Sequence, residues 1–395
     1  MREVDIIGVG MTQFGRLEGS TLASLGSSAI QRALADAGVT ADSVGLVVHG
    51  NAMAGVLTGQ QMIRGQVVIT DTGLSGKPVI NVENACATAS TGVHVALAAI
   101  RAGLYDTAVV CGTEKMTHRS TAEVLAAMTS GTDVERLPQI TKDVTGDPAF
   151  TGSFFMEIYA AFARDYMATS GATIEDFADV AAKNSGHGAL NPLAQYRQKR
   201  TREEILASRL IAAPLHLLMC SPIADGAAAI VLQAADVRGR DPRAVRIQGT
   251  ALRSGVPGMD SDVEALTAAA AYEQAGVGPE DIDVVEVHDA ASPNELAMYE
   301  KLSFCAAGEG PAFLASGATA LDGRVPFNPS GGLVSRGHPV GATGCAQLIE
   351  LTTQIRGEAG DRQVEGARIG LAENAGGYLH PEAAACTVTI LGKAS

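Results

Sequence analysis

The stretch Ala37-Gly38-Val39, followed by Val44-Gly45-Leu46-Val47-Val48, returns 238 residues later as Ala275-Gly276-Val277, followed by Ile282-Asp283-Val284-Val285-Glu286. Each copy reads as a helix end, a glycine cap, a polar turn and a buried strand. Further on, Thr91-Gly92 opens an apolar helix ending near Ala102-Gly103, and Thr343-Gly344 opens another ending near Arg356-Gly357. The two halves therefore read as copies of one α/β unit. Outward from these anchors, Val4 to Val9 reads as the first strand and Leu22 to Ala37 as the first helix. Strand and helix then alternate, which predicts a mainly parallel sheet covered on both faces. From about Thr113 to Pro222 the pattern changes to helical segments, loops and the charged run Tyr196 to Glu204, which reads as an insertion. Asp225 to Leu232 restores a buried strand, and Ala234 to Arg243 is the link. The expected organisation is an N-terminal half, 1–240, with an inserted loop domain at about 113–222, and a C-terminal half, 241–395.

Composition narrows the function classes. At 395 residues, with 46% hydrophobic and 18% charged residues, the chain is long and apolar enough for a large core, and it has no apolar run of membrane-spanning length. A net charge of −14 argues against a broad nucleic-acid or anionic-lipid footprint. The six cysteines have no CxxC pair and no ligand spacing, so they read as reduced thiols of a cytoplasmic protein, with no metal expected. The N-terminus lacks a leader pattern.

Cys86 lies in Asn84-Ala85-Cys86-Ala87-Thr88, where a strand runs through a turn of small residues into a helix expected from Val93 to Ala102. A lone cysteine is by default a core residue, but a thiol at a helix N-terminus has a lowered pKa and meets free N–H groups, which suits a nucleophile. Two histidines are candidate bases: His338, rigid between Gly337 and Pro339, and His288 at the end of the strand Val284 to Val287. Taken singly, each also reads as a structural residue. Glu373-Asn374-Ala375-Gly376-Gly377 is a glycine-rich turn able to aim N–H groups into a site.

Together these segments resemble the thiolase superfamily over nearly the whole chain. The resemblance rests on the Cys86 turn, on Cys220-Ser221-Pro222-Ile223-Ala224-Asp225-Gly226, on Asn328-Pro329-Ser330-Gly331-Gly332, and on Gly337-His338-Pro339 with Gly341-Ala342-Thr343-Gly344. His288-Asp289 stands where degradative and biosynthetic thiolases show Asn-Glu, which makes the chain similar to the sterol-carrier-protein-type thiolases and their bacterial and archaeal relatives. The resemblance implies a layered α-β-α-β-α fold. It also implies cleavage of a β-ketoacyl-CoA by CoA through an acyl group on Cys86, or the reverse Claisen condensation. In that scheme His338 is the base, His288 and His338 hold the thioester oxygen, and the N–H groups of Cys86 and Gly376 hold the oxyanion.

Two departures accompany the resemblance. Asn374 and Ala290 occupy the places where one or another thiolase group carries a second cysteine. Some relatives with alanine at the second place work with a small zinc-ribbon and OB-fold subunit, so the resemblance implies such a partner on a homodimer. It leaves His288 as the second acid/base, with Asp289 or a water as helper, and Cys345 directed into the core. Arg197, Lys199 and Arg200 either contact CoA phosphates or form a solvated helix start. Phe150, Phe154, Phe155, Met156 and Tyr159 either pack in the core or line a pocket for a bulky or aromatic acyl group, a substrate of lipid or aromatic acid metabolism. Two other functions compete: a retro-aldolase acting on a β-hydroxyacyl-CoA, and a non-catalytic binding or scaffold subunit.

Overall fold

The structure is a computed structural model and describes residues 2–147, 150, 152–238 and 241–394. The expected boundary at 240 lies outside the described residues. Nine strands form one sheet: β1 (Val4–Met11), β2 (Leu46–Gly50), β3 (Val79–Val82), β4 (Thr107–Glu114), β5 (Gly226–Ala234), β6 (Val245–Ser254), β7 (Val284–Glu286), β8 (Ile369–Gly376) and β9 (Ala385–Lys393). The helices that position the site are α1 (Leu22–Ala37), α2 (Thr88–Arg101), α3 (Phe154–Ser170), α4 (Ile174–Ala189), α5 (Val263–Ala275), α6 (Ser292–Lys301) and α7 (Thr343–Arg356).

The strand order is β3-β2-β4-β5-β1-β6-β9-β8-β7. Outward from the β1–β6 junction, each half runs through two antiparallel pairings and then a parallel one: β1–β5, β5–β4 and β4–β2 on one side, β6–β9, β9–β8 and β8–β7 on the other. Even β3 has a trace of a counterpart, a parallel bridge from Val285 to Phe327. The duplication extends to the packing contacts. A Cβ on Gly8 of β1 would lie 2.3 Å from the Ala33 carbonyl of α1, and one on Gly249 of β6 would lie 2.6 Å from the Ala271 carbonyl of α5. Only glycine lets each helix lie that close to its strand. Gly38 and Gly276 close these two helices in the left-handed conformation, at φ +62° and +68°.

The mainly parallel sheet expected from alternation is corrected to a mixed one. β5 returns from the insertion, and β9 from a short connection after β8, so each enters antiparallel to its neighbours. The layering places α1 on the outer face of the first half and α5 on that of the second, with α2 and α7 packed between them. The middle layer joins Val4, Leu46, Val93, Leu97, Leu348 and Leu391 in one buried cluster. α7 is buried around nearly its whole circumference, as a helix between two sheet faces must be. Because α2 and α7 begin at the same end of this layer, the Cys86 turn before α2 and the His338 turn before α7 come together. The region between β4 and β5 contributes α3, α4, shorter helices and a small hairpin of Leu210–Ala212 with Leu215–His216.

Candidate active site

Between β3 and α2 the chain makes a 3-10 turn at Ala85–Ala87. The helix begins at Thr88, earlier than the Val93 expected from sequence, so Thr91 and Gly92 lie within it. Ala85 has φ +48°, a strained conformation for a residue with a Cβ. Its neighbours hold it there: the Glu83 carboxylate accepts from the Ala85 N–H (2.6 Å), and the Thr88 hydroxyl accepts from the Asn84 N–H (2.8 Å) and donates to the Ala85 carbonyl (2.6 Å). The turn presents Cys86 half-buried at the mouth of a cavity. β8 closes it from behind, where a Cβ on Gly376 would lie 2.5 Å from the Ala87 nitrogen and 2.8 Å from that of Cys86.

His338 Nε2 lies 3.3 Å from Cys86 Sγ, and its Nδ1 lies 2.7 Å from the Thr343 hydroxyl. That hydroxyl spends its single hydrogen on the Pro339 carbonyl, 3.1 Å away. Nδ1 must then be the donor, which leaves Nε2 with a lone pair facing the thiol. The His288 ring meets that of His338 edge to face, with centroids 5.2 Å apart, and its buried Nε2 has no partner among the described residues. One donor atom each from Cys86, His288 and His338 lie within 4.8 Å of one another. The fold thus gathers three potential metal donors that show no ligand spacing along the sequence.

Burial dominates the electrostatics. It pushes the Cys86 thiol up to about 12, although the N–H groups of Gly377 and of Cys86 itself pull the other way. The lowered thiol expected from the helix N-terminus is therefore corrected: desolvation outweighs the backbone donors. Burial also takes His288 down to about 4 and His338 well below its ordinary value, with His288 and then Arg336 adding to the latter shift. The free chain holds a neutral thiol against a neutral imidazole.

Polar groups behind His288 fix its backbone. Glu373 accepts the His288 N–H at 2.9 Å, and burial raises its carboxyl to about 8. Asp289 is not the helper of His288 that the sequence offered. Its oxygens accept from the Leu333 N–H (2.6 Å) and the Asn184 amide (2.9 Å), and Asn184 also donates to Glu295 (2.7 Å). Lys183 pairs with Glu295 at 2.9 Å, so α4 of the insertion is tied into the second half beside the site.

The remaining sequence candidates divide. Gly376 backs the Cys86 turn, but of the two turn glycines it is Gly377, which leaves the strand at φ +66°, whose N–H interacts with the sulfur. Asn374 faces α2: its Oδ1 accepts from the Ser90 hydroxyl at 2.7 Å. Arg197 and Arg200 line a separate cavity with Ser185, Gln195 and Ser335, Arg200 pairs with Glu204 at 3.4 Å, and Lys199 is exposed; none of the three lines a cavity shared with Cys86. α3 splits its aromatic cluster. Phe154 joins a small core with Ile140 and Tyr378, whereas Phe155 and Tyr159 line both cavities that Cys86 lines and Met156 lines one. One cavity, about 60 Å³, includes Met53, Met128, Met156, Val340, Ala290 and His338; the other, about 250 Å³, includes His288, Asn294, Lys301 and Glu264. Sequence reasoning missed Gly377 and the orienting role of Thr343, although both lie within segments it quoted.

A cysteine thiol facing two histidines across the seam of a duplicated α/β fold fits the class of acyl-transferring enzymes. The chain matches the thiolase N-terminal domain over residues 4–236 and the thiolase C-terminal domain-like family over 259–393. It is 38% identical over 385 residues to an acetyl-CoA acetyltransferase of Methanothermobacter thermautotrophicus, covering 95% of this chain and 97% of that one. To the benzoylsuccinyl-CoA thiolase subunit BbsB of Thauera aromatica it is 35% identical over 376 residues, covering 92% of each. Human sterol carrier protein 2 is 34% identical over 395 residues, covering 95% of this chain and 70% of that one. Among solved structures, the Ltp2-ChsH2(DUF35) aldolase superposes with a TM-score of 0.78 at 26% identity, covering 99% of this chain and 98% of that one. The acetyl-CoA acetyltransferase of Syntrophomonas wolfei superposes with a TM-score of 0.75 at 18% identity over the full length of both chains, a likeness of fold. The chain belongs to the thiolase family, and its activity is thiolase-type acyl transfer with CoA substrates. Among the described residues no helix is long and apolar enough to cross a membrane.

Proposed function

We propose that the chain cleaves a β-ketoacyl-CoA with CoA, or runs the reverse condensation, through an acyl group carried on Cys86. The observation that supports this best is the 3.3 Å approach of the neutral His338 Nε2 to the Cys86 thiol. His338 takes the thiol proton as sulfur attacks the ketone carbon, and the bond between that carbon and the α-carbon breaks. The proton then passes by way of His288 to the α-carbon of the departing enolate. In the second half CoA's thiol returns a proton along the same route, its sulfur takes the acyl group, and Cys86 leaves as a thiol. The N–H groups of Cys86 and of the Gly376-Gly377 turn receive the oxyanion. The N-terminal half, 1–240 with its loop region at about 113–222, supplies the nucleophile, and 241–395 supplies both histidines. Arg197, Lys199 and Arg200, at the end of the loop region, are assigned to the phosphates of CoA, which the long pantetheine arm keeps away from the reacting thiol. The larger cavity, whose lining includes Phe155, Ile158, Phe162 and Met298, suits a bulky or aromatic acyl group. Incubation with acyl-CoA followed by intact-mass measurement tests the reading: it requires one acyl adduct, at Cys86.

Retro-aldol cleavage of a β-hydroxyacyl-CoA is the second reading, favoured by the aldolase among the solved neighbours and by alanine at position 290. It needs no acyl-enzyme, so the same measurement separates the two.

We further infer a homodimer joined through β3. This strand is a sheet edge with Ile80 exposed, and the segment bearing the exposed Met62 and Ile63 adjoins it through the Gly65 N–H bond to Asn81 (2.7 Å). The DUF35 component of the aldolase neighbour supports a small zinc-ribbon and OB-fold partner on that dimer. A fully active homodimer purified from the native source without a second protein would remove the partner.

A further inference from the structure

With Ala290 and Asn374 at the two positions where relatives carry a second thiol, the groups that face Cys86 must between them bind every substrate oxygen. Most polar side chains around the two cavities are already engaged. Lys301 pairs with Asp262 and Glu264, each at 3.0 Å; the Tyr378 hydroxyl bonds His380 at 2.7 Å; Ser130 donates to the Ala127 carbonyl at 2.7 Å; Glu83 holds the Ala85 N–H. Tyr159 differs. It lies on α3 of the loop region and lines both cavities that share Cys86, and its hydroxyl has no hydrogen-bond partner among the described residues. Ala290, smaller than the thiol-bearing residue of the relatives, lines one of the same cavities.

We propose that Tyr159 is a further catalytic residue, whose hydroxyl donates a hydrogen bond to a carbonyl oxygen of the β-ketoacyl-CoA at the divide between the two cavities. The phenol acts as a donor only and transfers no proton. Burial, reinforced by Cys86 and then Glu373 and Glu264, holds it protonated. Its position on the loop region gives that region a part in the chemistry as well as in binding. The role rests on the acyl-transfer reading.

The test compares wild type with Tyr159→Phe, which keeps the ring and removes the oxygen. For each protein it measures kcat and KM for cleavage of a β-ketoacyl-CoA, the acyl adduct on Cys86 by intact mass, and the rate of Cys86 alkylation by iodoacetamide. The expected result is a kcat lowered about 10- to 100-fold with KM within about threefold, and an unchanged alkylation rate, showing that the Cys86–His338 pair is intact. A kcat within twofold of wild type overturns the role, as does an alkylation rate that falls in step with kcat, since Tyr159 would then only position Cys86. A wild-type chain that forms no acyl adduct overturns the acyl-transfer reading itself and this role with it.

Discussion

His338 Nδ1 and the Thr343 hydroxyl lie 2.7 Å apart, five residues apart in the chain, at the start of the helix that fills the middle layer. The bond decides which ring nitrogen carries the proton and turns the free one to Cys86. Thr343→Val keeps the shape and loses the acceptor, leaving a buried N–H unpaired at a cost of about 1–3 kcal/mol. We expect Cys86 alkylation and kcat to fall together by about tenfold or more. Thr343→Ser, which restores the hydroxyl, should recover most of both; equal loss in both variants would remove the orienting role.

The roles of the thiols and histidines separate cleanly by mass and kinetics. Cys86→Ala should lose C–C cleavage and take no acyl adduct. Given acyl-CoA, His288→Ala should still take an acyl group on Cys86, because CoA can leave as a thiolate, while losing C–C cleavage, because the unpartnered His288 Nε2 is the nearest proton carrier beyond His338 for the α-carbon. Cys345 is fully buried in the middle-layer cluster, so Cys345→Ala should keep most activity and cost about 1–2 kcal/mol of stability. An inactive but folded Cys345→Ala, beside a nearly normal His288→Ala, would reverse the assignment.

The electronic state of the pair shows in its pH dependence. Burial holds Cys86 up at about 12 and His338 down, so the resting pair is thiol and imidazole rather than thiolate and imidazolium. Raising the pH removes a proton that the fold retains. The ultraviolet absorbance of a Cys86 thiolate, taken as the difference between wild type and Cys86→Ala, should therefore be absent near neutral pH and appear only in strong alkali. A thiolate signal already present near neutral pH would mean a preformed ion pair.

Much of this was legible in the sequence because duplication and chemistry leave local signatures. The helix Leu22–Ala37, its glycine cap and the copy around Gly276 were readable, since an apolar period of 3.6 and a left-handed cap are short-range features. So were Cys86, His288 and His338 as candidates. Strand direction was not, because Gly226–Ala234 reads the same whether it enters parallel or antiparallel; only the path of the insertion decides. The start of α2 was placed too late because Thr88 to Gly92 are small, and their burial against β8 and α7 leaves no periodic signal. The thiol's pKa was misjudged for a similar reason: a helix N-terminus is visible in sequence, but the desolvation that overrides it comes from residues far along the chain.

The approach of β8 to the Cys86 turn gives a steric test. In Gly376→Ala the new methyl would meet the Asn84 carbonyl at 2.6 Å and the Ala87 and Cys86 nitrogens at 2.5 and 2.8 Å, all backbone atoms. The Cys86 turn must then shift, and a displacement of about 1 Å lowers rates about 100-fold. We expect a folded protein with kcat at least tenfold lower and slower Cys86 alkylation. Near-normal kinetics would show that β8 yields instead.

Asp225 shows that the segment Cys220 to Gly226 serves stability as well as the site. Its fully buried carboxylate accepts from the N–H groups of Leu17 (3.1 Å), Met116 (2.7 Å) and Thr117 (2.8 Å), from the Thr117 hydroxyl (2.5 Å) and from Lys115 (2.6 Å), so it pins the exit of β4 to the entry of β5 where the insertion leaves and rejoins the sheet. Burial alone would raise its pKa, but Lys115 and the Thr117 and Met116 donors outweigh it and hold the carboxyl below its ordinary value. A lowered carboxyl contributes stability that is present above the unfolded pKa and lost as pH falls through the folded one. Asp225→Asn removes the charge and leaves the Lys115 ammonium buried without its carboxylate, at a cost of about 3–5 kcal/mol. Chemical denaturation near neutral pH should show that loss, and the gap between wild type and variant should narrow below about pH 4 as wild type takes up its own proton. A gap under about 1 kcal/mol at neutral pH, or one that widens in acid, would show that Asp225 does not pin the two strands through its charge.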